Sequence, residues 1–143
     1  MQVTVVPHGS LAYAQTVTLR QDILRRPLGL TLTAEQLAAE ADQVHLAAFD
    51  GGEVVGCLVL KPLPDGSMQM RQVAVLPERQ GEGIGRRLVL QSEEECRKRN
   101  VSRLILHARE TARGFYLKLG YDVEGEPFEE VRVPHIGMAK QLG

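Results

Sequence analysis

The chain has 143 residues, 43% of them apolar and 24% charged, with a formal net charge of −1. That length and balance fit one folded domain over residues 1–143 with a substantial core, and they exclude a disordered chain. A charge so near zero, with no long basic block and no apolar run near the roughly 18 residues of a membrane span, excludes nucleic acid and membrane as main partners.

Gln2 to Val6 alternates as a short strand. Ala12 to Arg25 reads as a helix stopped by Pro27-Leu28-Gly29. Thr33-Ala34-Glu35-Gln36 has the spacing of a capping box and opens a short second helix ending near Glu40. His45 to Phe49 and Glu53 to Leu60 are strands joined by the hairpin signal Asp50-Gly51-Gly52. After the turn Pro64-Asp65-Gly66-Ser67, Met68 to Leu76 forms a third hairpin-connected strand.

A long helix spans about Glu82 to Arg99. Ile84, Leu88, Val89, Ser92 and Cys96 form its inner stripe, and Glu93, Glu94, Arg97 and Lys98 are expected to face water. Arg103 to Ala108 is a buried strand. Thr111 is expected to cap a helix carrying Ala112, Phe115, Tyr116 and Leu119 on one face, and Gly120 ends it. Tyr121 to Gly125 and Val131 to Ala139 close the chain as strands. The order β-α-α-β-β-β-α-β-α-β-β implies an α+β fold, with antiparallel meanders around one βαβ crossover.

Cys57 and Cys96 have no C-x-x-C or metal-like spacing. They read as buried thiols of a reducing compartment, and no metal site is expected. The first residues lack the pattern of a secretory leader, so a soluble cytoplasmic protein is expected.

The densest chemical signal is Arg79-Gln80-Gly81-Glu82-Gly83-Ile84-Gly85-Arg86, between a strand and a helix. Three alternate glycines leave backbone N–H groups uncovered where a helix N-terminus adds partial positive charge, which makes a phosphate cradle. A Rossmann fingerprint would need glycine at position 86, where Arg86 stands. A P-loop would need Gly-Lys-Ser/Thr where the chain has Arg86-Arg87-Leu88.

Gln80 to Gly85 fits Q/R-x-x-G-x-G/A and resembles the pyrophosphate-binding motif of the GNAT superfamily of acyl-CoA N-acyltransferases. Val73-Ala74-Val75-Leu76-Pro77 is similar to the strand leading into that family's cofactor loop. Ala112 to Tyr121 is similar to its downstream A-x-x-F-Y-x-K-x-G-F/Y signature. His107-Ala108-Arg109, the segment from Gly125 to Met138, His45 to Phe49 and Gly52 to Gly56 resemble the ElaA/YjcF-type branch. The likeness covers about Gln43 to Lys140. Arg132 replaces that branch's usual glycine, and Arg109 stands where many members carry a cofactor-contacting asparagine, so that contact is not carried over.

The resemblance implies a GNAT-type fold, a central mixed and mostly antiparallel twisted sheet flanked by about four helices. It implies acetyl-CoA as co-substrate and a small-molecule primary amine as acceptor. The pyrophosphate falls to the N–H groups from Gly81 to Arg86, including Gly83, Ile84 and Gly85, with Gln80 in the motif and Arg79, Arg86 and Arg87 adding charge. Val73, Ala74 and Val75 offer main-chain groups to the pantetheine arm, and an N–H near Val75 polarises the thioester carbonyl. Gly114, within a helix, is explained by cofactor passage or by close helix–strand packing. Tyr116 takes the role of general acid toward the CoA thiolate. His107, Glu130 and His135 are candidates for the base that deprotonates the amine, and His8 and His45 have no supporting pattern. A non-catalytic CoA-binding module and a protein or peptide amine acetylase stay open as alternatives. Homodimers are common among such folds, but no residue here establishes one.

Overall fold

The computed structural model describes residues 1–143. The hydrogen-bonded strand order is β1-β2-β3-β4-β5-β7-β6, a seven-stranded, mostly antiparallel sheet with four α-helices. The chain forms two compact units, Met1–Lys61 with Arg71–Ser92, and Pro62–Met70 with Glu93–Gly143.

In the first unit, β1 (Gln2–Val6) runs antiparallel to β2 (Val44–Asp50), from Gln2 opposite Phe49 to Val6 opposite His45. β2 turns into β3 (Glu53–Pro62) through Gly51 and Gly52, both at positive φ (59° and 87°), the backbone a two-residue hairpin demands. Helix α1 (Leu11–Arg20) starts at Ser10, whose hydroxyl oxygen accepts from the Tyr13 N–H at 3.1 Å. The helical pattern expected to Arg25 continues as a π turn over Gln21–Arg25 and a 3₁₀ turn over Arg26–Leu28. Gly29 at φ 70° then ends it. Helix α2 (Ala34–Ala38) carries the expected capping box between Thr33 and Gln36. The core gathers Val6, Leu19, Ala47, Val54, Cys57 and Ala74.

A polar knot ties these elements together. Arg20 is wholly buried, and its two terminal nitrogens donate to both carboxylate oxygens of Glu40, at 2.9 and 2.5 Å. The Tyr13 hydroxyl donates to the same carboxylate at 2.8 Å, and His45 Nε2 donates to the Glu40 carbonyl at 3.0 Å. Burial opposes ionisation of Glu40, but Arg20 outweighs it and holds the carboxyl below its ordinary value. Burial pushes the Tyr13 phenol up to about 12 and lowers His45. The knot joins α1, the segment after α2, and β2.

In the second unit, the start of β4 (Met68–Val75) pairs in parallel with β5 (Arg103–Arg109), Met68 opposite Leu104 to Met70 opposite Leu106. Helix α3 (Ile84–Lys98) is the crossover between these parallel strands. β5 pairs antiparallel with β7 (Val133–Gln141), and β7 with β6 (Asp122–Glu130), whose register jumps between Glu124 and Phe128. Helix α4 (Arg113–Lys118) ends in a Schellman pattern: the Tyr121 N–H donates to the Tyr116 carbonyl, and that of Gly120, at φ 93°, to Leu117.

Four sequence expectations change here. The inner stripe of α3 is buried as expected, but Glu93, expected in water, is 2% exposed. It accepts from the Tyr121 hydroxyl at 3.0 Å and from Lys140 Nζ at 3.0 Å, partners far along the chain that let a carboxylate enter the core. Thr111 lies in a 3₁₀ turn (Glu110–Ala112), and Ala112 takes the N-cap position of α4 without a side-chain cap. Phe115 is 39% exposed, so only Tyr116 of the supposed α4 stripe is fully buried. Val131, expected in a strand, sits with Arg132 in the β6–β7 turn, both at positive φ (50° and 61°).

Candidate active site

The glycine loop belongs to the first unit. β4 delivers the chain to Leu76, whose N–H donates to the Val55 carbonyl at 2.9 Å. A 3₁₀ turn over Pro77–Arg79 follows, and Gln80 is extended. Gly81 and Gly83 then take φ of 86° and 82°, left-handed values that an L side chain resists. A Cβ at either glycine would meet nothing within 4 Å, so it is the backbone conformation, not crowding, that calls for glycine here. Ile84, 2% exposed, anchors the first turn of α3 in the core. No N–H from Gly81 to Arg86 donates to a protein acceptor. Six donors, two of them on left-handed glycines, at the N-terminus of a 15-residue helix suit a diphosphate. The donor set therefore fits the pyrophosphate expected from the sequence.

The arginines divide. Arg79 is engaged by Asp50 at 2.7 Å and by Glu82 at 2.9 Å. Arg87 Nη2 donates to the Met1 carbonyl at 3.1 Å. Arg86 lies exposed on the first turn of α3. Gln80 Nε2 reaches the Val75 carbonyl at 3.4 Å. Ala74 is buried, with Val73 and Val75 half-buried beside it.

Two residues of this unit escaped the sequence reading. Gly56 lies so close to α3 that a Cβ there would stand 2.9 Å from Leu88 and 3.0 Å from Ile84, so the loop's helix rests on bare strand backbone. Gln72, within β4, has φ 58° and a buried Oε1 without a hydrogen-bond partner. No local residue pattern marks a glutamine for the left-handed region, and the parallel ladder of β4 ends at Met70, two residues earlier.

The second unit holds the remaining candidates. Tyr116 is 6% exposed and meets Phe115 and Tyr121 edge to face, at 5.0 and 5.8 Å. Burial alone pushes its phenol up to about 12, with no neighbouring charge or hydrogen bond contributing. Its hydroxyl is not among the atoms sealed from solvent without a partner, so it remains reachable. Gly114, on the same helix, would place a Cβ in open space, so close helix–strand packing does not account for it.

His107, Glu130 and His135 come together. His107 Nδ1 lies 3.0 Å from Glu130 Oε1, and His135 Nε2 lies 3.7 Å from Glu130 Oε2. His135 Nδ1 lies 2.7 Å from the Val133 carbonyl oxygen. Phe128 meets His107 edge to face at 5.0 Å and stacks on His135 at 6.1 Å. The strand register explains the meeting. Arg109 pairs with His135, which puts His107 two residues along β5, and Phe128 also pairs with His135. Cys57 and Cys96 are buried and free, with thiols pushed up to about 12 and about 11 by burial, the inert end of cysteine chemistry.

The family model for the Acetyltransferase (GNAT) family matches residues 14–121. YjcF of Bacillus subtilis (strain 168), an uncharacterized N-acetyltransferase, is 26% identical over 123 residues, spanning 85% of this chain and 87% of YjcF. The crystal structure of a putative N-acetyltransferase from Lactobacillus plantarum is 26% identical, covers 99% of both chains and has a TM-score of 0.85. An aminoglycoside 6'-N-acetyltransferase complexed with coenzyme A shares the fold at a TM-score of 0.84 and 21% identity, over 99% of this chain and 97% of its own. With a glycine cradle at the start of α3 and a family match over most of its length, the chain belongs to the GNAT acetyltransferase family.

Proposed function

We propose that the chain transfers the acetyl group of acetyl-CoA to a primary amine of a small molecule, by direct attack of the amine on the thioester. The carrying observation is the run of N–H groups from Gly81 to Arg86 that no protein acceptor uses. In this reading they hold the CoA pyrophosphate, framed by Gln80 and Gly85. Arg79 is already paired, so Arg86 is the arginine that meets the phosphates. Val73, Ala74 and Val75 offer backbone groups to the pantetheine arm, and Gly114 leaves room for it.

Tyr116 is the general acid. Buried phenols ordinarily find a hydrogen-bond partner. Tyr121 has one in Glu93, whereas burial is the sole influence on Tyr116, which leaves that hydroxyl available to the departing sulfur. Such an acid contributes about 10²–10⁴-fold in rate. Positioning of amine and thioester supplies more, because effective molarities reach about 10⁵–10⁸ M. No covalent acyl-enzyme is needed, in keeping with two inert thiols.

The reading is tested by calorimetric titration with acetyl-CoA and with S-acetylpantetheine, which lacks the pyrophosphate. Acetyl-CoA binds at least tenfold more tightly if the loop holds the diphosphate, and equal affinities would refute that role. Thiol release over a panel of small primary amines then identifies the acceptor. Tight acetyl-CoA binding with no amine-dependent release would instead indicate a CoA-binding module.

A further inference from the structure

The meeting of His107, Glu130 and His135 distinguishes among three candidates that the sequence could only place side by side. A carboxylate accepts hydrogen bonds and donates none. The 3.0 Å contact with Glu130 Oε1 therefore puts the proton of neutral His107 on Nδ1 and its lone pair on Nε2. The Val133 carbonyl likewise only accepts, so neutral His135 carries its proton on Nδ1 at 2.7 Å. That leaves His135 Nε2 facing Glu130 Oε2 at 3.7 Å, on a ring whose side chain is 10% exposed. Glu130 is thus turned toward both rings. His107 keeps about a third of its side chain exposed and its Nε2 uncommitted.

We infer that His107 Nε2 is the base that receives the acceptor's proton, and that Glu130 is the positioning residue that fixes its tautomer and balances the charge it gains. Phe128, edge to face with the His107 ring at 5.0 Å, braces that ring. This assignment rests on the acetyl-transfer reading above. In the step, an ammonium R–NH₃⁺ gives one proton to His107 Nε2. The freed nitrogen pair forms the C–N bond at the acetyl carbon. The C–S bond breaks, and the sulfur takes the Tyr116 proton. The nitrogen sheds a second proton to water, and water reprotonates Tyr116. His107 then returns its proton to solvent, so one proton is released per acetyl group moved.

The turn supports the assignment. Val131 and Arg132 occupy the two left-handed positions of the β6–β7 connection, and a β-branched residue is the least suited to such a place. Strain of this kind persists where surrounding structure over-determines it. Here the turn sets Glu130 opposite Val133, two residues before His135, which is what carries the carboxylate to the rings.

The test combines nitrogen NMR of His107 with kinetics of acetyl-CoA, using n-butylamine as acceptor probe. In the unaltered protein, neutral His107 is expected in the Nδ1–H tautomer, and Glu130→Gln shifts it toward Nε2–H. His107→Gln is expected to lower kcat about 10²–10⁴-fold with the KM for acetyl-CoA kept, and Glu130→Gln to lower it less. The double variant should lose no more than His107→Gln alone, because Glu130 acts through His107. An Nε2–H tautomer in the unaltered protein, or additive losses in the double variant, would overturn the assignment. Absence of butylamine turnover would count against the acetyl-transfer reading for that amine. The tautomer would still decide the positioning by Glu130.

Discussion

Tyr121 donates its phenol hydrogen to the buried Glu93 carboxylate at 3.0 Å. Tyr116, whose ring meets Tyr121 edge to face at 5.8 Å, has only burial acting on its phenol. Two buried tyrosines five residues apart therefore have separate duties. The hydroxyl of one is bound to a core carboxylate, and that of the other is left for the acid role proposed above. Lys140 completes the first arrangement, bonding both Glu93 and the Leu119 carbonyl at the end of α4.

Glu93→Ala is expected to destabilise the fold by about 3 kcal/mol, since it leaves the buried Tyr121 hydroxyl without its acceptor and the Lys140 ammonium with the Leu119 carbonyl but no counter-charge. Urea unfolding measures the loss. A change under about 1 kcal/mol would mean that the contact contributes little.

The α3 carboxylates show where a sequence stops being informative. Glu93, Glu94 and Glu95 look alike in a helical pattern, yet Glu93 is buried because Tyr121 and Lys140 arrive from 28 and 47 residues away. The Arg20–Glu40 knot is hidden for the same reason: its partners are twenty residues apart and on different elements. The β6–β7 turn was illegible because Val131 and Arg132 lack the Asn or Gly chemistry that announces left-handed backbone. By contrast, the left-handed glycines of the Gly81–Gly85 loop and the Thr33 capping box were legible, since both are set by local backbone alone. The fold order was legible because each element carries its own period. The meeting of His107 with Glu130 required strand register, which no local pattern supplies.

Replacing Val131 and Arg132 with Asn and Gly is expected to stabilise the protein by about 1 kcal/mol or more, because that pair adopts the turn without strain. Thermal unfolding tests this, and a lower Tm would show that the native side chains hold the hairpin.

Acid stability should decline early. Burial lowers His45 from its ordinary 6.5. The unfolded chain thus takes up protons first, and stability falls as pH drops below about 6.5. Glu40 adds a second loss at lower pH, as acid reaches and passes below the ordinary carboxylate value of 4.5 toward its depressed folded value. Denaturation measured from pH 8 to 4 should show the first decline, and His45→Gln should flatten it. An unchanged slope in that variant would assign the decline to other groups.

Gly114→Ala separates fold from function. A Cβ there meets nothing within 4 Å and the backbone is helical, so the fold should gain up to about 1 kcal/mol. On the proposed reading, in which the pantetheine arm passes this glycine, acetyl-CoA binding should weaken. A variant that is more stable and binds acetyl-CoA unchanged would remove Gly114 from the cofactor site.

Amine-dependent release of CoA thiol by the unaltered protein and by Tyr116→Phe bears most directly on the central claim. We expect turnover of at least one small primary amine, with kcat falling about 10²–10⁴-fold in the variant while its unfolding midpoint stays close to that of the parent. With its phenol pushed up to about 12, Tyr116 stays protonated below that pH, so no alkaline loss of rate below about pH 11 should come from it. Full turnover by Tyr116→Phe would contradict its role as the acid, and no amine-dependent thiol release from the unaltered protein would contradict acetyl transfer itself.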